Sequence, residues 1–192
     1  MPIYVVISPT ARTDGNYLAK GYAGPSGRLD VVARSFLAIA ESSFKFYALL
    51  LGPPRAPRIL LAPSECRSKV SSERSFMVEA SKALRGLDSC FKVIEGGVET
   101  LSYILSKETS SVLLLREEGG DVSRHLRELC GDRPAFIAGS HIDPPEDVAR
   151  YIERSLKPVK VSVGPLSLHT DHVFGYISLL RIGRENCRGL QA

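Results

Sequence analysis

The sequence lacks the features of a membrane or exported protein. It contains no run of about eighteen apolar residues, so we expect no membrane-spanning helix. Its start, Met1 and Pro2 followed by an apolar run, lacks the basic, apolar and small-residue order of an export signal. We therefore expect a protein that acts in the cytoplasm.

Potential metal ligands are also few and scattered. The spacing of the four cysteines fits neither a zinc pattern nor a dense disulfide framework, and it favours reduced, partly buried thiols. These cysteines are Cys66, Cys90, Cys130 and Cys187. His169 and His172 could lie on one helix face, but no third or fourth ligand stands nearby. We expect no metal site.

Three common enzyme motifs are missing from the chain. There is no GxxxxGK[ST], no GxGxxG and no GxSxG. The sequence therefore gives no support for a P-loop, a Rossmann dinucleotide site or a hydrolase nucleophile elbow. The net charge of +4 mildly favours a polyanionic partner, but the basic residues are spread along the chain.

What the sequence does contain is an alternation of apolar runs and amphipathic segments. The runs predict strands over residues 3–8, 46–51, 58–62, 111–115, 135–139 and 159–164. The segments predict helices over residues 28–41, 72–85, 97–107, 121–129, 145–156 and 170–182. This order predicts one α/β domain over residues 1–192, with a mostly parallel sheet covered by helices on both faces.

Four loops are candidates for a functional site. Residues 9–27 form a long irregular segment rich in Gly, Pro, Ser and Thr, and such loops are often functional. Residues 115–121, 138–147 and 163–172 each follow a strand, where ligands bind in open α/β sheets. They predict one pocket that could hold a planar base, although ordinary turns are an equally good interpretation. His141 and Asp143 are either catalytic or a helix-entry cap, and the cap is slightly favoured.

Five segments resemble the archaeal tRNA pseudouridine-54 N1-methyltransferases of the SPOUT superfamily, in that family's order and spacing. They are SGRLDVVAR (26–34), FYALLLGPPRAP (46–57), KVSSERS (69–75), FIAGSHID (136–143) and SVGPLSLHTDH (162–172). The resemblance covers nearly the whole chain. It implies a homodimer, a C-terminal trefoil knot and S-adenosylmethionine as the cofactor.

The resemblance also assigns roles to residues. The implied cofactor contacts are Leu115, Gly139, Val163, Gly164, Pro165, Leu166, Ser167, Leu168 and Val173. The implied substrate contacts are Arg28, Asp30 and Arg34, of which Arg28 and Asp30 are the catalytic candidates. On pattern alone, Asp30 would be a first-turn acid favoured by the helix dipole and Arg34 a solvated side chain.

Two positions depart from the family pattern. Ser140 stands where relatives commonly have aspartate, and Val173 stands where they have cysteine. Valine can still wall a pocket, but it excludes any role that needs a thiol. The predicted function is methylation of N1 of pseudouridine 54 in tRNA. The alternatives are a non-catalytic RNA-binding protein of the same fold, or a methyltransferase for pseudouridine in ribosomal RNA.

Overall fold

A computed structural model describes residues 1–17 and 23–183 of the chain. Their elements, in chain order, are β1 (Ile3–Ser8), α1 (Leu29–Ala38), β2 (Lys45–Leu50), β3 (Arg58–Pro63), α2 (Glu73–Leu84), β4 (Lys92–Glu95), α3 (Val98–Glu108), β5 (Ser111–Asp121), α4 (Leu126–Leu129), β6 (Pro134–Gly139), α5 (Glu146–Leu156), β7 (Val159–Ser162) and α6 (Thr170–Gly183). The predicted single domain over residues 1–192 extends beyond these described residues.

The seven strands form one sheet in the order β4-β3-β2-β1-β6-β5-β7. β1 pairs in parallel with β2 and β6, and β5 pairs in parallel with β6 and β7. Only β3 runs against its neighbours β2 and β4 within the described sheet. The predicted mostly parallel α/β fold is confirmed.

The central strand β1 is buried along its whole length because helices cover both faces of this sheet. Successive side chains of a strand point to opposite faces. Tyr4 therefore packs with Phe36 of α1 and Phe174 of α6 in one core cluster. Val5 packs with Leu101 of α3 and Ile152 of α5 in the other cluster.

The largest differences from the predicted elements concern β4, β5 and the segment 121–129. β4 escaped prediction because it is four residues long and exposes a charged side chain at each end. β5 runs six residues beyond its predicted end at Leu115, because the polar REEGGD segment continues to pair with β7 across an irregularity. The predicted helix over 121–129 is wrong in extent. A 3₁₀ turn, Val122–Arg124, and the short α4 take its place.

The cysteines are not uniformly reduced. Cys66 and Cys90 carry free thiols, as predicted. Cys130 is disulfide-bonded, so the prediction of a reduced thiol is wrong there. Cys187 lies outside the described residues.

The described helices include none with the length and apolar character needed to cross a membrane.

Candidate active site

A cavity of about 470 Å³ opens at the carboxyl ends of β5, β6 and β7. Seven of the nine residues predicted to contact the cofactor line it: Leu115, Gly139, Val163, Leu166, Ser167, Leu168 and Val173. Gly164 and Pro165 belong to the same loop but do not line the cavity. The fold thus brings together the extended second half of β5 and the loops after β6 and β7, three segments that the sequence had placed at separate strand ends.

Apolar side chains form part of the cavity wall. Leu115 and Val161 are buried at its base, where β5 pairs with β7. Leu166 and Leu168 are 72% and 44% exposed and line the cavity from the last loop. Apolar surface of this kind, with a few polar groups, suits a planar heterocycle.

The loop after β6 turns tightly at Gly139. A Cβ placed there would lie 3.0 Å from the carbonyl oxygen of Ile142 and 3.1 Å from Cδ of Pro144. A larger residue would therefore disturb the loop itself before it met any ligand. Gly164 differs, because a Cβ there would meet nothing within 4 Å.

Thr170, the first residue of α6, fastens the loop after β6 to the loop after β7. Its Oγ1 lies 2.6 Å from the carbonyl oxygen of Gly139 and 3.0 Å from that of Ser140. Thr170 is buried and lines the cavity. Sequence reasoning missed this residue. A threonine before an apolar helix predicts a helix start, but it does not indicate which loop the side chain contacts.

His141 and Asp143 do not cap the following helix. α5 begins at Glu146 after Pro145, with no side-chain cap, so the favoured cap interpretation is wrong. Asp143 instead accepts a hydrogen bond from Nη1 of Arg116 at 2.7 Å. This ion pair joins the end of β5 to the loop after β6, and both of its residues line the cavity.

His141 also lines the cavity. Its Nδ1 lies 3.2 Å from Oγ of Ser140. Burial lowers the pKa of His141, and the positive charge of Arg28 lowers it further, while Asp30 opposes the shift. The imidazole is therefore neutral at pH 7.

Arg28, Asp30 and Arg34 form one ion-pair cluster. Nε and Nη2 of Arg28 lie 3.1 and 3.2 Å from the two carboxylate oxygens of Asp30. Nη1 of Arg34 lies 3.4 Å from Oδ2 of the same carboxylate. The side chain of Asp30 is only 7% exposed, whereas that of Arg28 is 42% exposed. A buried carboxylate is thus compensated by two partly accessible guanidinium groups.

The backbone at this cluster is unusual. Arg28 has a φ of 65°, a left-handed conformation that few residues other than glycine adopt. Gly27 precedes it with a φ of 68°, and a Cβ there would lie 1.8 Å from the carbonyl oxygen of Thr10. Backbone strain of this kind is concentrated at functional sites. The amide of Leu29, the first residue of α1, donates a hydrogen bond to Oγ of Ser26.

His169 and His172 do not form part of a metal site in the described residues. Their rings lie 5.9 Å apart. No group of three or more His, Cys, Asp or Glu side chains that could hold a metal occurs in residues 1–17 and 23–183.

Comparison with known proteins assigns the family. The family model for SAM-dependent RNA methyltransferases matches residues 1–184. A tRNA (pseudouridine(54)-N(1))-methyltransferase of Aeropyrum pernix is 57% identical over 183 residues, which cover 95% of each chain. The chain belongs to this methyltransferase family. The family resemblance drawn from the sequence is confirmed.

A second sequence relative and one solved structure extend the comparison for this methyltransferase. A tRNA (pseudouridine(54)-N(1))-methyltransferase of Pyrococcus abyssi is 27% identical over 201 residues, covering 93% of this chain and 96% of the other. The structure of Archaeoglobus fulgidus Nep1 bound to S-adenosylhomocysteine superposes with a TM-score of 0.67 at 17% identity. That similarity covers 94% of this chain and 98% of Nep1, and it shows a common fold.

The cavity of this methyltransferase fits its family's cofactor. Its volume lies in the range of about 300 to 1,000 Å³ that is usual for small-molecule sites. Buried leucine and valine side chains line it, and the tight turn at Gly139 brings backbone to the cavity wall. Residues of the last loop, 163 and 166–168, would hold the rest of the cofactor.

Proposed function

We propose that this chain transfers a methyl group from S-adenosylmethionine to N1 of pseudouridine 54 in tRNA. One observation carries the proposal. The Arg28–Asp30–Arg34 cluster reaches α6 through Arg34, whose Nε lies 3.7 Å from Asp171, and the preceding residue, Thr170, lines the cavity. A base held by the cluster would therefore stand near a cofactor in the cavity. The identity of 57% with a tRNA (pseudouridine(54)-N(1))-methyltransferase supports the same activity.

The protein's main task in this reaction is to position the base. When bound, S-adenosylmethionine supplies a methyl group that its sulfonium already makes electrophilic. The wall formed by Leu115, Val163 and Val173 would exclude water around it. Thr170 keeps the cofactor loops in register through its bonds to the carbonyl oxygens of Gly139 and Ser140. Such fixed geometry lowers the barrier by removing orientational freedom before the reaction.

Arg28 and Asp30 suit the two edges of a uracil-like ring. The half-exposed guanidinium of Arg28 offers N–H donors to a base carbonyl. Asp30 offers acceptor capacity to N1–H, since a carboxylate has about four lone-pair positions and the two arginines occupy three. The proton leaving N1 would pass to this carboxylate. The neutral imidazole of His141, which lines the cavity and whose pKa responds to the charges of Arg28 and Asp30, is a second candidate acceptor.

We also propose a homodimer formed through α6. Phe174 and Ile177 of this helix are buried within their own chain. Tyr176, Leu179 and Ile182 are 43%, 61% and 57% exposed and recur every three residues along one side. Such a stripe is typical of an interface. Leu179→Glu should convert a dimer into a species near 20.9 kDa in sedimentation. A wild-type protein that sediments at that mass would contradict the dimer.

The remaining expectations from the family are proposals of the same kind. A tRNA substrate favours a cytoplasmic enzyme, and the net charge of +4 favours contact with a polyanion. The trefoil knot stays a prediction from the family resemblance.

The decisive experiment is to incubate tRNA that carries pseudouridine 54 with the protein and S-adenosylmethionine, and to map modified nucleosides by mass spectrometry. We expect one methyl group on the base at position 54. Cofactor binding without any methylation would point to a non-catalytic RNA-binding protein. Methylation of ribosomal RNA but not of tRNA would point to a different target.

A further inference from the structure

Arg34 lies between two carboxylates that belong to different helices. Its Nη1 is 3.4 Å from Oδ2 of Asp30, and its Nε is 3.7 Å from Oδ2 of Asp171. Asp30 lies in the first turn of α1, and Asp171 is the second residue of α6. Neither contact reaches the distance of about 2.8 Å typical of a strong charge-assisted hydrogen bond. The guanidinium is thus shared by both carboxylates.

Asp171 has one carboxylate oxygen that is left without a hydrogen bond in the described part of the chain. Its side chain is 16% exposed, and its Oδ1 is buried without a hydrogen-bond partner among the described residues. A largely buried carboxylate oxygen without a hydrogen bond costs free energy, which the favourable position of an acid in the first turn of α6 offsets only in part. A side chain kept at such a cost indicates a functional requirement.

The position of Asp171 connects the two halves of the site. The preceding residue, Thr170, is bonded to the cofactor loop at Gly139 and Ser140. Asp171 itself faces Arg34 of the base-binding cluster. The first turn of α6 therefore touches the cofactor loop with one residue and the substrate cluster with the next.

We propose that Asp171 is a positioning residue for methyl transfer, which acts by drawing Arg34 away from Asp30. The inference rests on the proposed function. With Asp171 in place, Arg34 makes only a long contact with Asp30, whose remaining acceptor capacity is left for N1–H of the target base. Without the charge of Asp171, Arg34 closes on Asp30 and competes with the base for the carboxylate.

The test compares methyl transfer to tRNA in wild type, Asp171→Asn, Arg34→Ala and the double variant. We expect Asp171→Asn to lower kcat roughly tenfold, in the range of coupling between neighbouring charged groups. KM for tRNA and cofactor affinity should change less than about twofold, because the cofactor loops keep Thr170. In the Arg34→Ala background, Asp171→Asn should lower kcat no further, because Asp171 is proposed to act through Arg34.

Asp147→Asn is the matched control. Asp147 also lies in the first turn of a helix, α5, but it is exposed and outside the cavity. Asp147→Asn should keep wild-type kcat. That result would show that loss of a first-turn acid does not by itself lower kcat. Thermal melting checks the fold of every variant. If Asp171→Asn melts at a lower temperature than wild type, the same measurements are made with Asp171→Ser.

Three results would overturn the inference while the proposed function stands. The first is full kcat in Asp171→Asn. The second is an equal loss of kcat from Asp171→Asn in the wild-type and in the Arg34→Ala background. The third is a loss of cofactor affinity as large as the loss of kcat, because Asp171 would then act on the cofactor loop. Absence of methyl transfer by the wild type would reject the proposed function, and the inference with it.

Discussion

The hydroxyl of Thr170 lies 2.6 Å from the carbonyl oxygen of Gly139, and this contact joins the loop after β6 to the loop after β7 at the cavity wall. Both residues stand at element ends, one at the last residue of β6 and the other at the first residue of α6. The loops are far apart in sequence, so their relative position depends on this contact and on the packing of α6.

Thr170→Val is therefore expected to weaken cofactor binding. Valine keeps the shape of threonine but leaves two partly buried carbonyl oxygens without their donor, at a cost of about 1 to 3 kcal/mol. Cofactor affinity measured by calorimetry should fall roughly tenfold. Thr170→Ser keeps the hydroxyl and should bind nearly as well as wild type. Equal affinities in the valine variant and wild type would show that the contact does not organise the site.

Substitution of Gly139 should disrupt the same loop from the other side. A Cβ at this position already meets the carbonyl of Ile142 at 3.0 Å, so the branched side chain of Gly139→Val forces the turn open. We expect a clear loss of affinity for S-adenosylmethionine in calorimetry. Gly164→Ala is the control, since its Cβ meets nothing within 4 Å, and it should bind more tightly than Gly139→Val. Affinity equal to that of wild type in Gly139→Val would place the cofactor elsewhere.

Arg28→Ala and Asp30→Asn should reduce methyl transfer with little effect on cofactor binding. Each removes a charged hydrogen bond to the base, typically about 1.5 to 3 kcal/mol, so kcat/KM should drop by roughly one to two orders of magnitude. Neither side chain lines the cofactor cavity. The measurement is methyl transfer to tRNA beside cofactor affinity.

A similar ion pair in the neighbouring loop provides the control for these variants. Arg12 and Asp14 have the same spacing as Arg28 and Asp30, and Nη2 of Arg12 lies 2.6 Å from Oδ2 of Asp14. Arg12→Ala should therefore measure the loss of a buried ion pair without loss of the proposed base contact. An equal fall in kcat/KM for Arg12→Ala and Arg28→Ala would show that the role of Arg28 is structural and not contact with the base.

The site should lose stability and cofactor affinity in mildly acidic solution because of His141. Its pKa in the folded protein is lowered by burial and by Arg28, below the value of about 6.5 expected in the unfolded chain. The contribution of the neutral ring is therefore present above pH 6.5 and is lost as the pH falls through the lower folded pKa. Protonation there places a second cation beside Arg28.

His141→Gln tests this pH dependence, because glutamine does not titrate. Thermal melting and cofactor affinity between about pH 5 and 7.5 should vary less in the variant than in wild type. Parallel pH profiles for the two proteins would assign the acid sensitivity to other groups.

Much of the architecture could be read from the sequence. Apolar runs such as IYVVIS mark strands buried on both faces, and runs of this kind separated by amphipathic segments predict a parallel sheet covered by helices. β4 could not be predicted in this way because KVIE is short, lies at the sheet edge and lacks an apolar run. The extension of β5 was equally hidden, because its polar residues gain strand structure only by pairing with β7.

The sequence by itself determined the fold class, the family and the loops that meet at the cavity. Local periodicity and strand-end position are properties of short segments, and the family motifs are short segments too. Only the tertiary structure decided that Thr170 holds Gly139, that Asp143 pairs with Arg116 and that Arg34 is shared with Asp171. Such contacts join residues far apart in the chain. They arise from the way the helices and strands pack, and no local pattern encodes which side chains then meet.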